Sequence, residues 1–399
     1  MRGMKKSMGV VALFLSLLGS AWGTTLVVEY RPPAAPIDLA IRYDLKLTGQ
    51  TTVGPFARFE VPDAQAETME HLLQLDPRVR WVEHDEETHV DADVTARGGT
   101  IPVIGDRGSV ANANRAFFTQ IDWTNALVAR MNPIRVAIVD TGLSSNAPSL
   151  WAKVVAWEDE TGLYGNAYDL PNPLFANDAP QNHGAGHGTM VAGLISTLAP
   201  NSDLVILRAA GPDGKATAWS IIRGITDAVA HGAKVCNVSL GSANDILALE
   251  PVVNWCTSQG MTVVAPVGND NVQQAYEPAR LDGVFCVGGL DATNHKASFA
   301  NYHSKVKVSA PCTGIISVDW TGQLAVWSGT SFASPMVTAA IAVGRANFPT
   351  RSRTSILTAL RDNGRPLNEL NPEYDGKLGV GLRFRTFLSS LGRSSRGTF

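Results

Sequence analysis

The sequence predicts an α/β fold, a parallel sheet with helices on both faces, preceded by a small α+β unit. Three observations carry this expectation. After Pro133 the apolar runs VAIV, DLVIL, KVCNVSL, MTVVAPV and VFCVGG are short and unpatterned, and end near Gly, Asp or Asn. Strands buried on both faces have that signature. Helical segments alternate with them, the order of a sheet built from β-α-β units. Ahead of this region, strand-like and helix-like segments form a shorter group that ends in an acidic, Gly-rich stretch.

Taken in order, the chain opens with Arg2, Lys5 and Lys6, an apolar run from Met8 to Leu18, and small residues up to Gly23. This is the pattern of a secretory signal peptide, residues 1–23. The run is too short to cross about 30 Å of hydrocarbon, and no cysteine near the cut could carry a lipid. A secreted protein, extracellular or periplasmic and without a stable membrane anchor, is expected. Residues 24–92 follow as a unit: TLVVEY and FARFEV read as strands, Asp63 to Leu75 as a helix, and RVRWVEH as a strand after the turn residues Asp76 and Pro77. Residues 93–132 form a linker and the start of the main domain, which spans 133–390. Within it, Thr217 to His231 carries Trp219, Ile222, Ile225 and Val229 on one face before Gly232, and Asp245 to Gln259 is a second helix stopped by Gly260. A polar tail, 391–399, closes the chain.

Composition narrows the function classes. With 45% hydrophobic and 17% charged residues, the 399-residue chain is an ordinary globular protein. A net charge of −3 gives no electrostatic case for binding nucleic acid. The four cysteines, Cys236, Cys256, Cys286 and Cys312, are an even set in an exported chain, which favours disulfides with three pairings open, over the alternative of four buried thiols.

Parallel α/β sheets place their sites at the carboxyl ends of strands, and three segments end there. In RVAIVDTG, Asp140 closes a buried strand; in HGAGHGTMVAGLIS, His187 opens an apolar helix; in SGTSFASPMVTAAIAV, Ser331 enters a long small-residue helix with Pro335 in its first turn. Each residue alone could be a structural cap. His183 and His187 lie four apart, yet the glutamate of a zinc-type H-E-x-x-H is missing, so no metal is expected there. Together the three make an Asp…His…Ser order. A hydroxyl is a weak nucleophile until a base takes its proton, imidazole titrates near neutrality, and a buried carboxylate holds the imidazole in the required tautomer. No G-x-S-x-G elbow is present, which removes a lipase-like reading.

VAIVDTG, GHGTMVAG and GTSFASPMV resemble the aspartate, histidine and serine motifs of the subtilisin-like serine proteases, and VVAPVGND resembles that family's oxyanion-hole segment. The resemblance covers Pro133 to about Ala346 and implies a subtilisin-like catalytic domain. It implies a serine endopeptidase acting on protein or peptide substrates, with Asp140, His187 and Ser331 as the triad and Asn269 as side-chain oxyanion donor. Ser239, Leu240 and Gly241 of NVSLGS would pair with substrate backbone. FARFEVPDAQAE and DPRVRWVEHDEE resemble the family's inhibitory prosegment, a ferredoxin-like prodomain that would block its own enzyme until removed. A catalytically silent scaffold of the same fold is the alternative.

Further expectations follow from the resemblance. Some secreted relatives tie the region of Cys286 and Cys312 together, so that pair is expected to bridge, leaving Cys236–Cys256 to join a strand to its following helix. Cys312 stands where the family usually has Gly. The helix GTMVAGLISTL runs through Ala199 to Ser202 into the next strand, leaving no room for the family's tight calcium loop, so no cofactor is expected. A weak calcium site among Asp159, Asp169 and Asp178 is the remaining option, against a plain solvated acidic loop. Counting back from VFCVGG puts Tyr276 at the floor of the slot for the residue before the cut bond. There it would exclude large side chains, unless Glu277 reaches the slot and favours a basic residue. Asn237 fits an N-x-S glycosylation pattern but falls in a buried strand.

Overall fold

The computed structural model describes residues 22–85, 87–89, 98–100, 109–177 and 179–393. The expected signal peptide, apart from its last two positions, lies outside them, as do much of the linker, Asp178 and the last six residues of the tail.

The unpatterned apolar runs form one eight-stranded sheet, every neighbouring pair parallel. Its order is Val380–Gly381, Val308–Pro311, Val284–Leu290, Thr262–Pro266, Val235–Val238, Ile134–Asp140, Ser202–Arg208 and Val154–Asp159. The runs lack alternation because both faces are covered. Val136 and Ile138 face a core shared with helices His187–Leu198 and Thr330–Asn347, while Ala137 and Val139 face one shared with helices Ala218–Ala230 and Leu249–Ser258. An α/β fold with helices on both faces is therefore what the chain adopts.

The preceding unit is an antiparallel four-stranded sheet in the order Lys46–Gln50, Phe56–Pro62, Trp22–Tyr30, Val79–His84. Helices Pro36–Tyr43 and Ala66–Gln74 complete a βαββαβ path, the ferredoxin-like arrangement. The first helix and the Lys46–Gln50 strand are not read from the sequence. That helix has Ile37 and Ile41 on its exposed side, so its apolar residues do not trace a single buried stripe. One sheet face buries Leu26, Val28, Phe59 and Val61 under its own helices. The other contributes Val27 and Phe56 to the core containing Trp219, and Phe56 meets the ring of Trp255 edge-on at 6.4 Å.

Four expectations are corrected. All four cysteines are free and buried. The Cys286 carbonyl accepts the Lys307 N–H, which aligns those two residues, whereas the Cys312 N–H donates to the Leu290 carbonyl. The two therefore sit several strand residues apart, and they face opposite cores. At about 3.3 Å per residue this offset exceeds the roughly 7 Å Cα separation a disulfide tolerates. Cys236 and Cys256 do face the same core, but as thiols, the latter turned toward the Ile225 carbonyl at 3.6 Å. The second helix begins at Leu249, not Asp245, because Ile246 N–H is taken by the Glu277 carboxylate and Ala248 N–H by Glu83. The last helix runs past the expected tail boundary at 391: Phe384–Arg393 buries Phe384, Phe387 and Leu391 in the main core, and the tail beyond it lies outside the described residues. Asp169 is not a solvated side chain: it is buried, as the site geometry shows, although most of residues 161–177 around it are exposed.

Candidate active site

Asp140 ends the sixth strand of the sheet order at its carboxyl edge, with both neighbours extending alongside. Its Oδ1 lies 2.7 Å from His187 Nδ1, and both side chains are fully buried. The Thr141 N–H donates to the same Oδ1 at 2.8 Å. His187 is the first residue of its helix because Gly186 caps it at φ 91°, a left-handed conformation that suits glycine. Gly188 permits the approach: a Cβ there would stand 2.4 Å from the Gly142 carbonyl.

Asp169 holds this helix start. Its Oδ1 accepts Gly186 N–H at 2.7 Å, and its Oδ2 accepts Thr189 N–H and Oγ1–H at 3.0 and 2.7 Å. It is a buried capping side chain supplied from far upstream, its two oxygens meeting donors that the first turn leaves unpaired; burial pushes its carboxyl up, and the bonds from Thr189 and Gly186 oppose that rise. The sequence reading sets a weak calcium site here against a solvated loop; the oxygens of Asp169 instead accept backbone and hydroxyl donors. Asp159 is spent separately, accepting N–H groups of Thr161, Tyr164 and Gly165 around its own turn. Among the described residues no group of three or more His, Cys, Asp or Glu side chains converges on a metal-sized site.

Ser331 is the second residue of helix Thr330–Asn347. Phe332, next in line, meets the His187 ring at 5.4 Å, and Trp327 meets both rings at 6.2 and 5.9 Å. The helix is fixed to the sheet by the buried Asn237, whose Oδ1 accepts Ser334 and Thr338 hydroxyls at 2.7 and 2.9 Å and whose Nδ2 donates to Ser239 Oγ at 2.7 Å. Ser239 Oγ in turn donates to the Ser331 carbonyl at 3.2 Å. Asn237 is thus a structural tie and closed to glycan transfer, and Ser334 is engaged elsewhere.

Asn269 Oδ1 accepts Thr330 N–H and Oγ1–H, each at 2.8 Å, which turns its amide nitrogen away from those donors. Gly329, two residues before Ser331, is the neighbour on that side: a Cβ there would be 3.8 Å from Asn269 Nδ2. Tyr276 is buried, with its ring between Gly268 and Gly241 and its hydroxyl bonded to Asp270. Glu277 is not available to a substrate slot, since it caps Ile246 N–H at 2.7 Å and pairs with Arg280. Leu240 and Ser239 are buried, and Gly241 lies beside Tyr276.

The sequence reading missed the short strand Lys215–Thr217, which pairs antiparallel with Glu87–His89. It also missed Gly98–Thr100, which pairs with the strand Leu324–Trp327 leading to Ser331. Three-residue strands leave almost no periodic signal.

A doubly covered parallel sheet carries an Asp–His pair and a helix-leading serine at one carboxyl edge, the parts from which a serine hydrolase is built. The chain belongs to the subtilase family, whose signature matches residues 132–381. It is 30% identical over 308 residues to an alkaline protease from Alkalihalobacillus alcalophilus, covering 75% of this chain and 72% of that one. It is also 32% identical over 247 residues to subtilisin BL from Lederbergia lenta, covering 60% and 86%. Two solved structures share the fold at lower identity. One is fervidolysin from Fervidobacterium pennivorans (TM-score 0.69, 20% identity, 94% of this chain and 62% of that one). The other is an epidermin leader peptide processing serine protease from Staphylococcus aureus (TM-score 0.71, 18% identity, 94% and 99%). The chain is accordingly a subtilisin-like serine endopeptidase.

Proposed function

We propose that the enzyme is secreted and hydrolyses peptide bonds through an acyl-enzyme. In this reading Ser331 Oγ attacks the carbonyl, His187 takes and returns the proton, Asp140 holds the imidazole tautomer, and the Ser331 N–H and Asn269 Nδ2 bind the oxyanion. The observation that carries it is the buried 2.7 Å contact between Asp140 and His187. Ser331→Ala should abolish turnover of a peptide substrate. Loss of activity in Ser334→Ala with Ser331→Ala unaffected would overturn the assignment, and an inactive wild-type enzyme would favour the silent scaffold.

Residues 24–92 would serve as an intramolecular inhibitor that the enzyme removes from itself. The chain pairs first with Lys215–Thr217 and then, past residue 97, with the strand leading to Ser331. The bond it cuts should therefore lie between Val90 and Arg97. N-terminal sequencing of the mature enzyme tests this, and the Ser331→Ala chain should retain the segment. No calcium ion is assigned to Asp159 and Asp169, whose oxygens accept backbone N–H donors.

A further inference from the structure

Lys296 is a buried lysine with no carboxylate in its hydrogen-bond set. Its Nζ donates to Asn271 Oδ1 at 2.7 Å and to the Ala300 and Ala297 carbonyls at 2.8 and 2.9 Å, with the Ser298 carbonyl further off at 3.4 Å. An ammonium has three N–H donors, and three short acceptors meet them. The rings of Tyr374 and Tyr302 lie 5.0 and 5.6 Å from the charge. Neutral oxygens and aromatic faces thus replace the water of a desolvated cation, as they would around an alkali ion.

The cage joins two segments. Residues 296–301 bond to residues 268–272 through Asn301 N–H to the Gly268 carbonyl at 2.9 Å and Asn271 N–H to the Phe299 carbonyl at 2.7 Å. Asp270 and Val272 N–H both donate to Asn301 Oδ1, at 2.8 and 3.1 Å. Asn271 is held at φ 56°, a left-handed conformation that an isolated chain rarely keeps. Asn269 lies within this clamped turn.

We infer that Lys296 is a positioning residue for the reaction, a built-in cation that locks the 268–272 turn and so aims the Asn269 amide. This rests on the oxyanion role given to Asn269 above. Oxyanion donors must already point at the developing charge, so a loosened turn should lower kcat more than it raises KM.

The test replaces Lys296 in the full enzyme. Lys296→Ala should lower kcat by roughly ten- to a hundredfold, with KM within about threefold. Methylammonium chloride, which refits an ammonium into the emptied cage, should restore part of kcat, and tetramethylammonium chloride at equal ionic strength should not. If the alanine variant folds poorly, Lys296→Met keeps the apolar stem and should show the same kcat loss. In an Asn269→Ala background the Lys296 substitution should add little. An unchanged kcat, no rescue by methylammonium, or an undiminished factor in the Asn269→Ala background would overturn the inference. If Asn269→Ala alone left kcat intact, the oxyanion reading would fall first and take this role of Lys296 with it.

Discussion

The Glu83 carboxylate of the N-terminal unit accepts the Ala248 backbone N–H at 2.8 Å, at the start of a helix whose own cap residue offers no side chain. Asp85 does the same two residues on, accepting Trp219 N–H at 2.9 Å at the start of helix Ala218–Ala230, while Arg58 pairs with its other oxygen at 3.3 Å. Two carboxylates at two helix N-termini satisfy unpaired donors and complement both dipoles. Glu83→Ala and Asp85→Ala should each raise the inhibition constant of a separate 24–92 polypeptide on the mature enzyme by about five- to thirtyfold, from roughly 1–2 kcal/mol per lost cap. Unchanged inhibition would show that the apolar contact at Phe56 and Trp255 suffices.

Removing Asp169 should be felt at the histidine helix. Asp169→Ala orphans the donors of Gly186 and Thr189 and should cost on the order of 3 kcal/mol of stability. Denaturant melts measure that loss. Asp169→Asn, which keeps one acceptor oxygen, should recover part of it.

In the reading that puts Tyr276 at the floor of the slot for the residue before the cut bond, Tyr276→Gly, which removes the ring packed beside Gly241 and Gly268, should open that slot. On peptides differing only in the residue before the cut bond, the wild type should favour Ala or Leu over Phe, and the variant should narrow that gap by about tenfold. A wild-type preference for Phe would show that the ring is not the floor.

Glu160 links stability to alkalinity. Burial pushes its carboxyl up to about 8, the Asp227 charge adds to the rise, and Arg223 opposes it from 3.1 Å. A carboxyl raised in the folded state binds its proton more tightly there. Its contribution is complete below the ordinary value of 4.5 and is lost as the pH climbs through about 8. Asp227, pushed upward mainly by burial, acts in the same direction and bonds to Thr52 of the N-terminal unit. Melting temperature of the full-length Ser331→Ala chain should fall between about pH 5 and about pH 9, and Glu160→Gln should flatten that fall. Parallel curves would remove Glu160 as the cause.

The four thiols should be unreactive in the folded protein and all titratable with a thiol reagent after denaturation without reductant. Burial pushes the Cys286 and Cys312 thiols up to about 12, which suppresses the reactive thiolate. Fewer than four thiols in the denatured, unreduced chain would restore a disulfide.

By itself the sequence determined the parallel sheet, because a strand covered on both faces must be apolar throughout, and VAIV or MTVVAPV can be little else. It also determined the candidate chemistry, since Asp140, His187 and Ser331 each stand where an apolar run stops or starts. Only the tertiary structure decided which polar groups meet across distance. Asp169 caps a helix 18 residues later, Glu83 and Asp85 cap helices in another unit, and Lys296 closes a cage on Asn271. The same limit separated Cys286 from Cys312: adjacent strands were legible, but their register and the face each side chain takes were not. Periodicity reports which residues leave water, a local property of the chain. Hydrogen-bond partners depend on where folding brings distant segments together.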